Sequence, residues 1–204
     1  MNYGGLYIVY VSLKNREYKK GELLASRKLT CARKMKNVNK KYKIIIFVTV
    51  LVLLEQLIKV IIVMNRDKLP ITIINNVFML SYVENSGVAF GIKVGSVWSF
   101  IVINVVILGI IIKFMYSQLQ ELNNKTIAIL SLVLAGGISN LIDRIFRGYV
   151  IDFLDITPMI NFPVFNFADV MIVVSVLIFG ITMIKNIIKD DEKGKNDGEG
   201  SSTR

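Results

Sequence analysis

The sequence contains no histidine and only one cysteine. Without an imidazole, Ser-His and Cys-His nucleophilic pairs and HExxH metallohydrolase chemistry are excluded, so acid-base work falls to carboxylates, lysine or tyrosine. A lone cysteine closes no internal disulfide, and Cys31 stands in a basic, polar stretch that says nothing about redox compartment. Proline is scarce as well: three in 204 residues leave little room for long ordered loops. Charge is thin, at 20% of residues against 53% hydrophobic, and the mean hydropathy of +0.56 is too apolar for an ordinary soluble domain. A membrane protein with a single domain is the reading these figures support.

Four apolar runs, at 44 to 64, 97 to 116, 126 to 142 and 168 to 188, approach or reach the roughly 20 residues that cross a bilayer. An even number of crossings puts both termini on one side. Twelve Lys or Arg precede residue 44, and Lys185, Lys189, Lys193 and Lys195 stand at or after the end of the last run, so the positive-inside rule predicts cytoplasmic termini. The net charge of +10 is then topological, with a weak attraction to anionic lipid. Nucleic-acid binding is not expected, because the charges flank spans and line no aromatic-studded face.

Residues 1–42 read as a basic cytoplasmic extension or a mis-assigned start, since Met35 with KNVNKKYK would lead directly into the first span. Its first thirteen residues are apolar but lack a charged leading region and a clean cleavage site, so no removable signal peptide is expected. Residues 43–189 form the four-span domain. The Gly- and Ser-rich stretch at 190–204 is expected to be a disordered cytoplasmic tail.

On this topology ENSGVAFG (84–91), NLIDRIFRGYVIDF (140–153) and FNFADV (165–170) all reach the outer membrane face, and that convergence marks a candidate site. The segment LPITIINNVFMLSYVENSGVAFG mixes β-branched and aromatic residues with turn formers, which predicts short strands in a small extracytoplasmic sheet. The expected architecture is mainly α, four transmembrane helices with that sheet resting on the bilayer.

Asp152 falls in an apolar stretch read as a loop, and Asp169 opens the fourth span, where helix N–H groups stabilise its anion. Acids so placed often mark function. Held within a few ångströms, the two would titrate as a pair, one protonated while the other is not. The residues alone leave a plainer reading open, with Asp169 a helix cap and Asp152 a solvated loop residue. A proton-coupled transporter would place its acids nearer the midplane within repeats, none of which is visible. A purely structural subunit would need no acid pair.

From 43 to 189 the chain resembles the signal peptidase II family, intramembrane aspartic proteases that process lipoproteins. The resemblance rests on LEQLIK (54–59), NSGVAF (85–90), SNLIDR (139–144), GYVIDF (148–153) and FNFAD (165–169). It implies an endopeptidase that cleaves diacylglyceryl-modified prolipoproteins on the N-terminal side of the lipidated cysteine, with Asp152 and Asp169 as catalytic pair. It assigns Asn85, Asn140, Arg144, Glu55 and Lys59 to substrate binding, gives Asp143 a structural place and Asp155 no role. It implies a monomer without cofactor or metal, with membrane lipid as surroundings and the cyclic depsipeptide globomycin as inhibitor. Three departures are conservative: Glu55 stands for the family's usual Asp, Val88 for Ala and Ser139 for Gly. Gly136 and Gly137 read as close helix approaches, and Gly87 and Gly148 as turns.

Overall fold

The structure, a computed structural model, describes residues 38–89, 92–93 and 96–199. The extension up to residue 37, Cys31, Phe90 of the NSGVAF motif and residues 200–204 lie outside the described residues. Two compact units divide the chain, Met1–Lys43 and Ile44–Arg204, and everything below except residues 38–43 at the start of the first helix belongs to the second.

Four helices are long and apolar enough to cross a membrane among the described residues. They are α1 (Val38–Met64), α2 (Val97–Ser117), α3 (Asn124–Phe146) and α4 (Phe167–Glu199), the last apolar as far as Lys185. Side-chain caps set two of the starts. Ser96 accepts from Ser99 N–H and Asn123 from Thr126 N–H, so α3 begins earlier than hydropathy alone places it. α4 stays helical through Glu199, where a disordered tail is expected from 190; a preceding helix of this length supplies the nucleus that an isolated polar segment lacks.

Burial singles out α3 as the central helix, with 50% of its apolar window buried against 17%, 6% and 11% for α1, α2 and α4. The other helices turn large apolar side chains such as Leu57, Val106 and Leu177 outward, the surface a lipid solvent requires. Leu108 and Met115 of α2 pack on Ile127, Leu130 and Leu134 of α3. Glycine sets the closest approaches. A Cβ on Gly137 would stand 2.8 Å from Leu108 Cδ2, and one on Gly136 would run into the Ala168 carbonyl and 2.9 Å from Ile172 Cγ1.

The strands gather at the end of the bundle where α1 and α3 finish and α2 and α4 begin. An antiparallel sheet runs β1 (Ile71–Ile74), β2 (Phe78–Asn85), β5 (Val150–Asp155), and a short pair joins β3 (Val88–Ala89) to β4 (Ile92–Lys93). The strands of the first outer segment are those expected from its composition. β5 is the correction: Asp152 sits on a strand, not a loop. All six β5 residues are buried, so apolar residues stand on both faces of VIDFLD and no alternation betrays the strand. Gly148, at φ +81°, makes the turn from α3 into β5 that a β-carbon would strain.

Candidate active site

Register explains why Asp152 meets Asn85. Val83 pairs with Asp152 and Asn85 with Val150, so Asn85 and Asp152 lie diagonally on one face of the β2–β5 ladder. Asn85 Nδ2 donates to Asp152 Oδ2 at 2.9 Å. Asp152 Oδ1 accepts from Asn166 Nδ2 at 2.7 Å.

Asn166 and Asp169 form a reciprocal cap at the start of α4. Asp169 N–H donates to Asn166 Oδ1 at 2.9 Å, and Asn166 N–H donates back to Asp169 Oδ2 at 3.2 Å, the N-cap and N3 exchange of a capping box. Asp169 Oδ1 accepts from Asn140 Nδ2 at 2.8 Å. The remaining Asn166 donor contacts reach Asn140 Oδ1 and the Ile151 carbonyl. One fully buried amide therefore bridges the strand that carries Asp152 and the helix that carries Asp169.

All three amides are oriented by groups that can only donate. Lys59 Nζ donates to Asn140 Oδ1 at 3.0 Å, Asp169 N–H to Asn166 Oδ1, and Gly87 N–H to Asn85 Oδ1 at 2.9 Å. A donor facing the amide oxygen leaves the NH₂ end to point at a carboxylate. Three N–H₂ groups thus converge on two acids.

Burial is the main cause that raises Asp152, to a pKa of about 6; the neighbouring Asp169 charge adds to it, and the Asn85 and Asn166 hydrogen bonds oppose it. Asp152 is buried and Asp169 half-buried. The half-buried Arg144 guanidinium stacks over Phe100 at 5.4 Å and lies within electrostatic reach of Asp169 and Asp152.

Behind this surface lies an ion cluster on one face of α1 and one face of α3. Lys59 is fully buried, with Asp143 Oδ2 at 2.6 Å and Glu55 Oε1 at 3.7 Å. Asp143 also accepts from Arg147, Gln56 and Ile151 N–H, the structural place expected of it. Glu55 Oε1 accepts from Ala168 N–H at 3.3 Å. Glu55 and Lys59, expected among substrate-binding residues, are 2% and 0% exposed; both stand behind Asn140 and α4 rather than on a surface open to a peptide. Asn85, Asn140 and Arg144 do stand around the two acids. Ser139 takes hydrogen bonds from Gln56 on both its carbonyl and its hydroxyl, so this departure from the family pattern adds a contact between α1 and α3.

Sequence reasoning passed over Asn166, Gln56 and Arg147. For Asn166 a signal exists, because Asn three residues before an acid at a helix start is capping-box spacing. Arg147 also has one, since it stands four residues after Asp143 on a helical stretch; Gln56 gives no local sign, because its partners Ser139 and Asp143 lie on another helix.

Known proteins match this chain over most of its length. A family model described as signal peptidase (SPase) II matches residues 47–185. The lipoprotein signal peptidase of Halalkalibacterium halodurans is 37% identical over 152 residues, covering 72% of this chain and 93% of that one. The lipoprotein signal peptidase of Clostridium acetobutylicum is 36% identical over 155 residues, covering 73% and 96%. A bacterial membrane enzyme solved by the in meso method superposes with a TM-score of 0.64 at 29% identity, covering 71% of this chain and 89% of that chain. The chain belongs to the signal peptidase II family, multi-pass membrane proteases that remove signal peptides from lipoproteins.

Proposed function

We propose that this protein is an aspartic endopeptidase that cleaves diacylglyceryl-modified prolipoproteins on the N-terminal side of the lipidated cysteine, with Asp152 and Asp169 as the catalytic pair. The observation that carries the reading is the Asn166 amide, which donates to Asp152 while accepting from the Asp169 N–H. An acid pair fixed in this way shares one proton. The ionised carboxylate takes a proton from water, whose oxygen attacks the scissile carbonyl. The protonated carboxyl donates to the carbonyl oxygen, and collapse of the tetrahedral intermediate returns a proton to the leaving amine. Water is the nucleophile, and no acyl-enzyme forms.

Arg144, Asn85 and Asn140 surround the pair and supply donors to the peptide backbone near the cleaved bond. Lys59 and Glu55 support the site from behind. Both termini are cytoplasmic, following the basic flanks, and the pair faces the outer side of the membrane. The enzyme acts as a monomer in lipid, and globomycin blocks it by presenting a hydroxyl between the two acids.

The test is cleavage of a diacylated lipobox peptide in detergent by Asp152→Asn, Asp169→Asn and the double variant. Each single change is expected to lower turnover by roughly 10⁴-fold or more, and the double to be hardly worse, as for groups that act as one unit. Near-normal turnover in either single variant ends the proposal.

A further inference from the structure

The segment between β5 and α4 is built as a closed loop with an apolar tip. Its base is a backbone bridge: Phe165 N–H donates to the Leu154 carbonyl at 3.0 Å and Leu154 N–H to the Phe165 carbonyl at 2.7 Å. Asp155 ties down the first limb, accepting from Ser81 Oγ at 2.5 Å, Thr157 Oγ1 at 2.6 Å and Thr157 N–H at 2.9 Å. Both Met159 and Ile160 N–H return to the Ile156 carbonyl at 3.0 Å, and Phe162 packs edge-on to Phe165 at 5.7 Å. A loop held at so many points still turns its large apolar side chains outward: Met159 is 64% exposed, Ile160 48% and Phe162 44%.

Water is the wrong surroundings for that tip. From Ile156 to Ala168 the chain has no charged residue, and apolar surface left in water forgoes the favourable transfer that burial brings. The loop springs from the same end of the bundle as the lipid-facing ends of α3 and α4, where Phe146 is 80% exposed and Phe167 43%. Its apolar surface therefore continues the surface the helices present to hydrocarbon. An uncharged, apolar, tethered protrusion at that level fits the boundary between headgroups and acyl chains, where aromatic and aliphatic groups partition.

We infer that the tip at 157–163 is an interfacial anchor whose partner is the bilayer itself, dipping Met159, Ile160 and Phe162 into the adjoining leaflet. The bridge at Leu154 and Phe165 lies two residues from Asp152 and four from Asp169, so the anchor fixes the height of both acids relative to the membrane surface. The inference rests on the membrane-spanning fold and is independent of the proteolytic mechanism.

The test uses the full chain in Cys31→Ser background, reconstituted in phosphatidylethanolamine and phosphatidylglycerol vesicles, with an environment-sensitive fluorophore on Met159→Cys or Ile160→Cys. Asp67→Cys, at a 96% exposed side chain in the charged Arg66–Lys68 turn, is the reference. Expected are a blue-shifted emission at 159 and 160 and quenching by lipids brominated high on the acyl chain, while the probe at 67 answers to aqueous iodide. Iodide quenching at 159 and 160 equal to that at 67 overturns the inference. So does a blue shift that arises only on adding a diacylated lipobox peptide, because the tip would then serve the substrate. Both labelled sites are exposed, and circular dichroism of each variant confirms that the fold is kept.

Discussion

Asn166 Nδ2 lies 2.7 Å from Asp152 Oδ1 while Asn166 Oδ1 lies 2.9 Å from the Asp169 backbone nitrogen. The amide thus uses both ends, one for each acid. Replacing it with alanine removes an N-cap, worth about 1 kcal/mol of stability, and frees both carboxylates to move. Since misplacement by about 1 Å costs on the order of 100-fold in rate, Asn166→Ala is expected to lower kcat on a diacylated peptide about 100-fold with KM little changed. Asn166→Asp should rescue the cap but not the rate, because it brings a third carboxylate to Asp152. A kcat within threefold of the parent in Asn166→Ala would deny the amide its bridging role.

Coupling between the acids has a spectroscopic consequence. Burial, the larger cause, and the Asp169 charge both raise Asp152, to about 6 from an ordinary 3.8. In Asp169→Asn the like charge is gone and burial remains. The Asp152 pKa should then fall below about 6 yet stay above 3.8, read from the carboxyl carbon shift of labelled aspartate across a pH series. For the parent, activity should decline as pH rises beyond the range in which the pair keeps its shared proton, and again at low pH where both are filled. An unchanged Asp152 titration in Asp169→Asn would show that the acids do not sense each other.

Lys59 is the buried cation between Glu55 and Asp143, and it orients Asn140 toward Asp169. Substituting methionine keeps the volume but leaves the buried Glu55 without a cation and Asp143 with Arg147 as its remaining one, and breaking a buried pair typically costs 3–5 kcal/mol. Lys59→Met should unfold at markedly lower temperature in detergent. Lys59→Met combined with Asp143→Asn and Glu55→Gln should recover part of that stability, because neither buried acid is then left ionised beside a missing cation. A triple variant no more stable than the single would point to packing rather than charge.

Much of this was legible in the residues, for reasons the structure makes plain. The spans announce themselves by hydropathy because lipid accepts nothing else, and the carboxylates stand out because they are costly there. The β1–β2 strands showed through their β-branched and aromatic content. β5 stayed hidden because both of its faces are covered, which erases the period-two signal at the very strand that carries Asp152. The interior places of Glu55 and Lys59 were illegible for a different reason: a motif gives spacing along a helix, while burial is decided by which helix α1 meets. Hydrogen bonds such as Gln56 to Ser139, 83 positions apart, belong wholly to the tertiary fold.

Gly136 offers a test of how packing far from the chemistry holds it. A methyl group there would collide with the Ala168 carbonyl and come within 2.9 Å of Ile172 Cγ1. The first obstacle is backbone, so it cannot swing aside as a side chain would. α4 must shift, and Asp169 is the next residue along. Gly136→Ala should therefore lose about 1–3 kcal/mol to overpacking and, through the displaced acid, about 100-fold in turnover. Gly109 and Gly180 serve as controls, since a β-carbon at either meets nothing within 4 Å. There alanine should be neutral or gain up to about 1 kcal/mol from helix propensity. Thermal unfolding in detergent and peptide cleavage, measured on all three variants, separate the effects. If Gly136→Ala matched Gly109→Ala in both, the close contact of α3 with the start of α4 would play no part in placing Asp169.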